Sequence, residues 1–233
     1  MNASYPAAVL WDMDGTIVDT EPMWVAAEVR LLNDWGLTIS EADLHAWVGI
    51  GLSDLAKDFQ SRGVGMSSVS IMQVLTDDVR RQFASNEIAW RPGARELLAS
   101  LVAASIPTAL VTMSLRIQAE DVLSLLPAGT FDVVVAGDDV SLPKPHPEPY
   151  LRAAAQLGVP VEECVAIEDS ITGLTSAVSA GAVTVGVPNL VDLTGVGADC
   201  LLTSLAGITA TNIATVFQNS RRSVGPRPTE TLT

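Results

Sequence analysis

The sequence predicts an α/β protein in which an all-helical insert follows the first strand of a parallel β-sheet. Short apolar runs bounded by Gly, Pro or polar residues recur along the chain, as is typical of buried parallel strands. Helical patterns separate most of these runs, and such alternation favours a parallel sheet with right-handed crossovers. Between the first and second runs every pattern is helical, which indicates a second, small domain.

Five apolar runs are predicted as strands because each is rich in Val, Ile, Leu or Ala. They are residues 7–11, 108–112, 133–136, 165–167 and 183–187. Helices are predicted between most of them, over residues 94–104, 117–126, 147–157 and 174–180.

The helical insert is predicted to cover residues 19–87. Its first pattern ends at Gly36, a residue type that often terminates helices, and its second begins at Ser40, a favoured N-cap. Pro92 and Gly93 mark the return to the sheet. Because ligands of open parallel sheets bind beyond the carboxyl ends of the strands, an insert there would act as a cap. The predicted domains are a catalytic core of residues 1–18 and 88–220, a cap of residues 19–87 and a disordered tail of residues 221–233.

Composition and charge exclude several classes of function. The 233 residues include 27 acidic and 13 basic ones, and the resulting net charge of −14 argues against binding nucleic acid. No apolar run approaches the roughly 20 residues that span a bilayer, and the N-terminus lacks the basic region of a signal peptide. We therefore expect a cytoplasmic protein with no membrane partner. Since nothing in the sequence suggests an obligate assembly, we expect a monomer.

Chemically active side chains follow the predicted strands. In chain order they are Asp12, Asp14, Thr112, Ser114, Lys144, Glu168 and Asp169. Each of them alone could be a helix cap or a loop residue. Because parallel strands bring their carboxyl ends to one edge of a sheet, however, the whole set is expected to meet there. The resulting site would combine four carboxylates, one ammonium and two hydroxyls.

The four carboxylates of this edge require a cation. Close together they would raise each other's pKa values, and Lys144 alone does not balance them. Oxygen donors without Cys or His suit a hard cation, and Mg²⁺ is typically held by one or two carboxylates together with substrate phosphate and water. We therefore predict a small phosphorylated metabolite as the substrate. The predicted cofactor is Mg²⁺, with Asp12, Asp14, Glu168 and Asp169 as candidate ligands.

Phosphoryl transfer is the chemistry that this set of residues favours. Asp12 could attack phosphorus as a nucleophile, and Asp14 could protonate the leaving group and later deprotonate water. Thr112, with the backbone N–H groups of Met113 and Ser114 at a helix N-terminus, could bind phosphate oxygens. Lys144 would balance charge on the nucleophile and on the phosphoryl group.

Four motifs resemble those of the haloacid dehalogenase (HAD) superfamily, most closely its helical-cap phosphatase and β-phosphoglucomutase-like branch. They are DMDGTIVDTEP, VTMS, KPHPEPY and IEDSITG, and the similarity spans about residues 7–190. The resemblance implies a Rossmann-like core with a C1-type cap. It also implies that Asp12 is the nucleophile and Asp14 the acid/base. The implied Mg²⁺ ligands are an Asp12 side-chain oxygen, the Asp14 carbonyl and Asp169, with Glu168 close by or acting through water.

This branch contains several activities, and we expect a Mg²⁺-dependent phosphatase that hydrolyses a small phosphate monoester through an aspartyl-phosphate. A phosphomutase of the β-phosphoglucomutase type is the alternative. Mutase members place a histidine where this chain has Trp24 and a cap arginine where it has Leu52. Dehalogenating members lack the equivalent of Asp14, and Lys57 does not match the Schiff-base lysine of phosphonate-cleaving members.

The cap supplies the remaining candidate substrate-binding residues, Trp24 and Gly49. Apolar cap side chains could line the cleft or only pack the helices of the cap, and both interpretations stay open. A receiver domain also combines acidic residues, a Thr and a Lys around Mg²⁺, but its chain would be shorter and would lack the insert. A scaffold with a vestigial site is disfavoured because all the catalytic positions are filled.

Overall fold

The computed structural model describes residues 5–47, 50–85 and 88–223, and its sheet has six parallel strands. They are β1 (Ala8–Trp11), β2 (Thr108–Val111), β3 (Val133–Val135), β4 (Cys164–Glu168), β5 (Val183–Gly186) and β6 (Cys200–Leu201). The spatial order is β3-β2-β1-β4-β5-β6. The first five strands agree with the predicted runs to within one residue at each end, which confirms the predicted fold class.

The central strand β1 brings the strand ends to one level. It lies between β2 and β4, and all of its residues are buried, as expected for a parallel strand covered on both faces. Its last residue, Trp11, pairs with Leu110 of β2 and with Ile167 of β4. The residues that follow these three strands therefore emerge side by side at the same edge of the sheet.

Four helices form the described part of the insert: α1 (Glu21–Asp34), α2 (Glu41–Trp47), α3 (Leu52–Ser61) and α4 (Ser68–Ser85). Arg30 of α1 donates through Nε to Asp78 of α4 at 2.8 Å. The Trp47 ring of α2 packs edge-on against Phe59 of α3, with centroids 5.1 Å apart, and its indole N–H donates to Asp58 at 3.0 Å. These contacts join the helices of the insert, and its buried apolar side chains belong to the same cluster as those on one face of the sheet.

The remaining helices cover the two faces of the sheet. They are α5 (Ala94–Ala103), α6 (Arg116–Leu123), α7 (Glu148–Leu157), α8 (Ile171–Ala180) and α9 (Ala210–Ser223). On one face α7 and α8 bury Tyr150 and Ala177 with Leu10 of β1. On the other face α5 and α9 bury Leu98 and Phe217 in a separate apolar cluster. The sheet thus lies between two apolar layers.

The sequence patterns did not predict three of the observed elements, α3, β6 and α9. A strand of two residues such as β6 carries too little pattern to be detected. The signal of α3 was present, since its buried Leu55 and Phe59 stand at helical spacing. The same spacing relates the buried Ile213 and Phe217 of α9.

The prediction that a disordered tail begins at residue 221 is wrong for residues 221–223, which form the last turn of α9. The guanidinium of Arg221 donates to the Glu162 carbonyl at 2.8 Å and pairs with the Glu163 carboxylate, so this turn is attached to the core. Residues 224–233 lie outside the described residues. Among the helices that the structure describes, none combines the length and the apolar character needed to cross a membrane.

Gly93 provides a test of the packing where the chain enters α5. Its φ is +85°, and an added Cβ would lie 2.1 Å from the backbone of Leu205. Gly207 has a φ of +77°, but an added Cβ would meet nothing within 4 Å. We therefore expect Gly207→Ala to cost about 1–2 kcal/mol of unfolding free energy, and Gly93→Ala to cost roughly 4 kcal/mol or more. Urea denaturation measures both values, and equal losses would contradict this account of the packing.

Candidate active site

Lys144 lies at the centre of the site, on the loop before α7. Its ammonium donates to Asp12 Oδ1 at 2.8 Å, to Glu168 Oε1 at 2.6 Å and to the Val111 carbonyl at 2.9 Å. These bonds use all three of its donors, and the side chain is only 4% exposed. Burial alone would lower the pKa of Lys144, but the charges of Asp12 and Glu168 outweigh it and raise that pKa. The ammonium is therefore permanently charged and held in one position.

Asp12 follows β1 directly and uses only one of its two carboxylate oxygens. Oδ1 accepts from Lys144, whereas Oδ2 is buried and has no hydrogen-bond partner among the described residues. Burial, followed by the charge of Glu168, raises the pKa of Asp12 to about 7, and Lys144 offsets part of the rise. A buried carboxylate oxygen without a partner is costly, so Oδ2 is suited to a cation or to a reacting atom.

Asp12, Glu168 and Asp169 form an oxygen-only cluster. Each offers a carboxylate oxygen, and these oxygens lie within 4.8 Å of one another. Burial, followed by the charges of Asp12 and Glu168, raises the pKa of Asp169 to about 9. One ammonium serves this group of three carboxylates, and Asp12, which belongs to the group, has an oxygen without a partner among the described residues. The donor set therefore fits a hard divalent cation.

Two glycines let backbone approach these carboxylates closely. At Gly15, whose φ is +82°, an added Cβ would lie 1.9 Å from Asp169 Oδ2. At Gly173 an added Cβ would lie 2.0 Å from the carboxylate of Glu168. Any side chain at either position would therefore displace a carboxylate of the cluster.

Asp14 makes contacts different from those of Asp12. Its Oδ1 accepts from the Thr20 hydroxyl at 2.7 Å, and its Oδ2 accepts from the hydroxyls of Ser114 at 2.7 Å and Thr112 at 3.3 Å. Thr20 is the N-cap residue of α1, but its side chain makes no capping bond, and its hydroxyl donates to Asp14. Asp14 therefore joins the β1 loop, the β2 loop and the start of the insert.

The candidate phosphate-binding residues lie at the expected edge but are engaged with protein groups. The N–H of Ser114 donates to Thr112 Oγ1 at 3.0 Å, and the N–H of Lys144 donates to the sulfur of Met113 at 3.3 Å. The hydroxyls of Thr112 and Ser114 both donate to Asp14. Phosphate binding by these residues stays a prediction.

The candidate residues of the insert differ in what the structure shows. Trp24 is half-buried on α1 and packs against the apolar cluster beneath it, whereas Gly49 lies outside the described residues. Glu21, the first residue of α1, is half-buried, and its pKa is raised by burial and then by the charges of Asp19 and Asp14. Every Lys and Arg of the insert pairs with a carboxylate. The pairs are Arg30–Asp78, Lys57–Asp54, Arg62–Asp43, Arg80–Asp121 and Arg81–Asp78.

Sequence reasoning missed two residues of the site, Asn189 and Tyr150. The amide nitrogen of Asn189 lies 3.2 Å from the point that a Gly15 Cβ would occupy, on the same side as Asp169. Asn189 follows β5, so the strand-end rule could have found it. The hydroxyl of Tyr150 donates to Glu168 Oε1 at 2.5 Å. Tyr150 ends the KPHPEPY motif, but only the fold shows that it reaches Glu168.

Comparison with known proteins agrees with this fold. Residues 9–187 match the model of the family described as haloacid dehalogenase-like hydrolase. Protein CbbY of Rhodobacter capsulatus is 32% identical over 185 residues, which cover 75% of this chain and 82% of that protein. Hexitol phosphatase B of Escherichia coli (strain K12) is 30% identical over 213 residues, which cover 88% of this chain and 96% of that protein.

A solved structure shares the fold. A CbbY variant from Rhodobacter sphaeroides, crystallised in complex with xylulose-(1,5)-bisphosphate, superposes with a TM-score of 0.80 at 27% identity. The match covers 89% of this chain and 99% of that chain. Because the family match spans most of the sequence and includes all four strand-end motifs, this chain belongs to the haloacid dehalogenase-like hydrolase family.

Proposed function

We propose that this protein is a Mg²⁺-dependent phosphatase that hydrolyses a small phosphate monoester through an aspartyl-phosphate. One observation carries the proposal. Lys144 holds Oδ1 of Asp12, while Oδ2 of the same carboxylate is buried without a partner among the described residues. A nucleophilic carboxylate needs this arrangement, in which one oxygen is anchored and the other is available to phosphorus.

Asp12, Asp169, Glu168 and the carbonyl of Asp14 are the groups that would hold the cation. Mg²⁺ bound there would offset the repulsion among the carboxylates and stabilise negative charge on the phosphoryl oxygens. The side chain of Asp14 is turned to three hydroxyls, so its carbonyl is the part of this residue proposed as a ligand.

The chain's own residues account for two steps. In the first, Asp12 Oδ2 forms a bond to phosphorus, the bond from phosphorus to the leaving oxygen breaks, and Asp14 gives that oxygen its proton. In the second, Asp14 takes a proton from water, the water oxygen attacks phosphorus, and the bond to Asp12 breaks to release inorganic phosphate. Lys144 remains charged throughout and stabilises the carboxylate form of Asp12.

An uncharged leaving group, such as a sugar or polyol, fits the insert best. All the basic side chains of the insert pair with carboxylates, so none of them is reserved for a second phosphate. Glu21 adds an acidic group near Asp14. The name of the relative hexitol phosphatase B supports the same substrate class. We further propose a monomeric enzyme acting on a cytoplasmic metabolite.

A phosphomutase is the alternative, and it would need to hold a bisphosphate. The CbbY structure with a bound bisphosphate shows that a related protein accepts such a ligand. In this chain Trp24 and Leu52 replace the histidine and arginine expected of mutase-type members. The paired cations of the insert favour hydrolysis of a monophosphate.

Replacing the nucleophile provides the first test. Asp12→Asn keeps the shape of the side chain but removes its nucleophilic charge, so kcat should fall by roughly 10⁴-fold or more. Asp34→Asn, at an exposed position at the end of α1, is the matched control and should retain full activity. Release of inorganic phosphate from a sugar monophosphate measures both. Mg²⁺-dependent turnover by Asp12→Asn above the level of a mock purification would refute the nucleophile assignment.

Cation binding can be measured without any substrate. At a Mg²⁺ concentration about 100 times Kd, binding should add about 2.7 kcal/mol of stability, and should raise the melting temperature of EDTA-treated protein by about 5 °C. Asp169→Asn should lose most of this shift, whereas Asp34→Asn should retain it. Calorimetric scans at matched ionic strength give the comparison. An undiminished shift in Asp169→Asn would contradict the proposed site.

The substrate class can be tested with paired compounds. We expect kcat/KM to be at least roughly tenfold higher for hexose or hexitol monophosphates than for the corresponding bisphosphates, because no basic side chain of the insert is reserved for a second phosphate. Phosphate release from each monophosphate and from the corresponding bisphosphate gives the two values of kcat/KM to compare. Isomerisation of a sugar phosphate without phosphate release would favour the mutase.

A further inference from the structure

Tyr150 is a buried polar residue for which the proposed chemistry has no role so far. It lies in the first turn of α7, it is fully buried, and its hydroxyl donates to Glu168 Oε1 at 2.5 Å. The Lys144 ammonium donates to the same oxygen at 2.6 Å and lies 5.1 Å from the centroid of the Tyr150 ring. The phenol therefore contacts both members of the Lys144–Glu168 ion pair.

These contacts make the two oxygens of Glu168 unequal. Oε1 accepts two short hydrogen bonds, which use both of its lone pairs, whereas Oε2 accepts one longer bond of 3.2 Å from the Ser170 hydroxyl. Gly173 of α8 lies against the carboxylate and leaves it little room to rotate. Oε2 is therefore the oxygen with capacity left for a cation or for water bound to one.

The hydroxyl of Tyr150 is not needed for packing. The ring belongs to an apolar cluster with Ala153, Ala154 and Leu10, where a phenyl ring would fill the same space. Burial, followed by the charge of Glu168, raises the pKa of Tyr150 well above its usual value, so the phenol remains a donor. Its one described partner is the carboxylate of Glu168.

We propose that Tyr150 is a positioning residue that acts through Glu168. By sharing Oε1 with Lys144, it keeps the ammonium on Asp12 and leaves Oε2 free for the cation. This inference deepens the proposed function and rests on it. Partners that orient metal ligands in this way typically contribute 10–100-fold to metal affinity or activity.

The test compares the two tyrosines of the chain, Tyr150 and Tyr5. Tyr150→Phe removes one hydroxyl and keeps the ring. Tyr5→Phe makes the same chemical change at a residue that is 42% exposed and precedes β1, at the opposite end of that strand from the site. Titration calorimetry with Mg²⁺, in the absence of substrate, gives Kd for each variant. Phosphate release at saturating Mg²⁺ gives kcat and KM.

We expect Tyr150→Phe to weaken Mg²⁺ binding by about tenfold and to lower kcat by a similar factor. We expect KM to change by less than about twofold, because the Tyr150 side chain is fully buried and its hydroxyl is bonded to Glu168. Tyr5→Phe should match the wild type in all three constants. Circular dichroism of each sample gives the folded fraction, to which the rates are normalised.

Wild-type values of Kd and kcat in Tyr150→Phe, after correction for folded fraction, would overturn the proposal. A loss of thermal stability alone, with both constants unchanged, would also overturn it, because the hydroxyl would then be only structural. If the wild type bound Mg²⁺ but released no phosphate from any substrate, the proposed function would fail. The effect of Tyr150→Phe on Kd would still decide the role of Tyr150 at the cation site.

Discussion

A charge imbalance around Lys144 governs the structure of this site. One buried ammonium pairs with the buried carboxylates of Asp12 and Glu168, and the partly buried carboxylate of Asp169 lies beside them. Burying so many like charges with one counter-charge is unfavourable unless another cation joins them. One oxygen of Asp12 is buried without a partner among the described residues. The proposed cation binding and the proposed nucleophilic attack on phosphorus thus have a common electrostatic origin.

The sheet supplies this convergence by simple geometry. Three adjacent parallel strands, β2, β1 and β4, end level, and the chain order makes β1 the strand at which the direction of winding reverses. Gly15 and Gly173 then allow carboxylates to approach backbone at distances that a Cβ would forbid. The requirement for glycine at these two positions follows from the site rather than from the turns alone.

Asp14 connects the insert to the candidate active site. The hydroxyl of Thr20, the N-cap residue of α1, donates to that carboxylate, so the start of the insert and the proposed acid/base share one hydrogen bond. Farther out, the insert's basic groups also pair with carboxylates: four of them pair within the insert, and Arg80 pairs with Asp121 of α6. Positive charge in the site therefore comes from Lys144 and the proposed cation, which favours a substrate with a single phosphoryl group.

The sequence by itself determined the order of strands and helices, the helical insert and the identity of the residues at the strand ends. Those features depend on local periodicity and on chain order, and both are visible in a single sequence. It left β6 undetected because a strand of two residues carries too little pattern, and it left α3 and α9 undetected although their buried residues stand at helical spacing. Only the tertiary structure decided that Asp14 faces three hydroxyls, that Asp12 Oδ2 has no partner, and that Tyr150 and Asn189 reach the site. Each of these features depends on distances between atoms that are far apart in the chain. Close packing of the folded protein sets those distances, and the spacing of residues in the sequence does not.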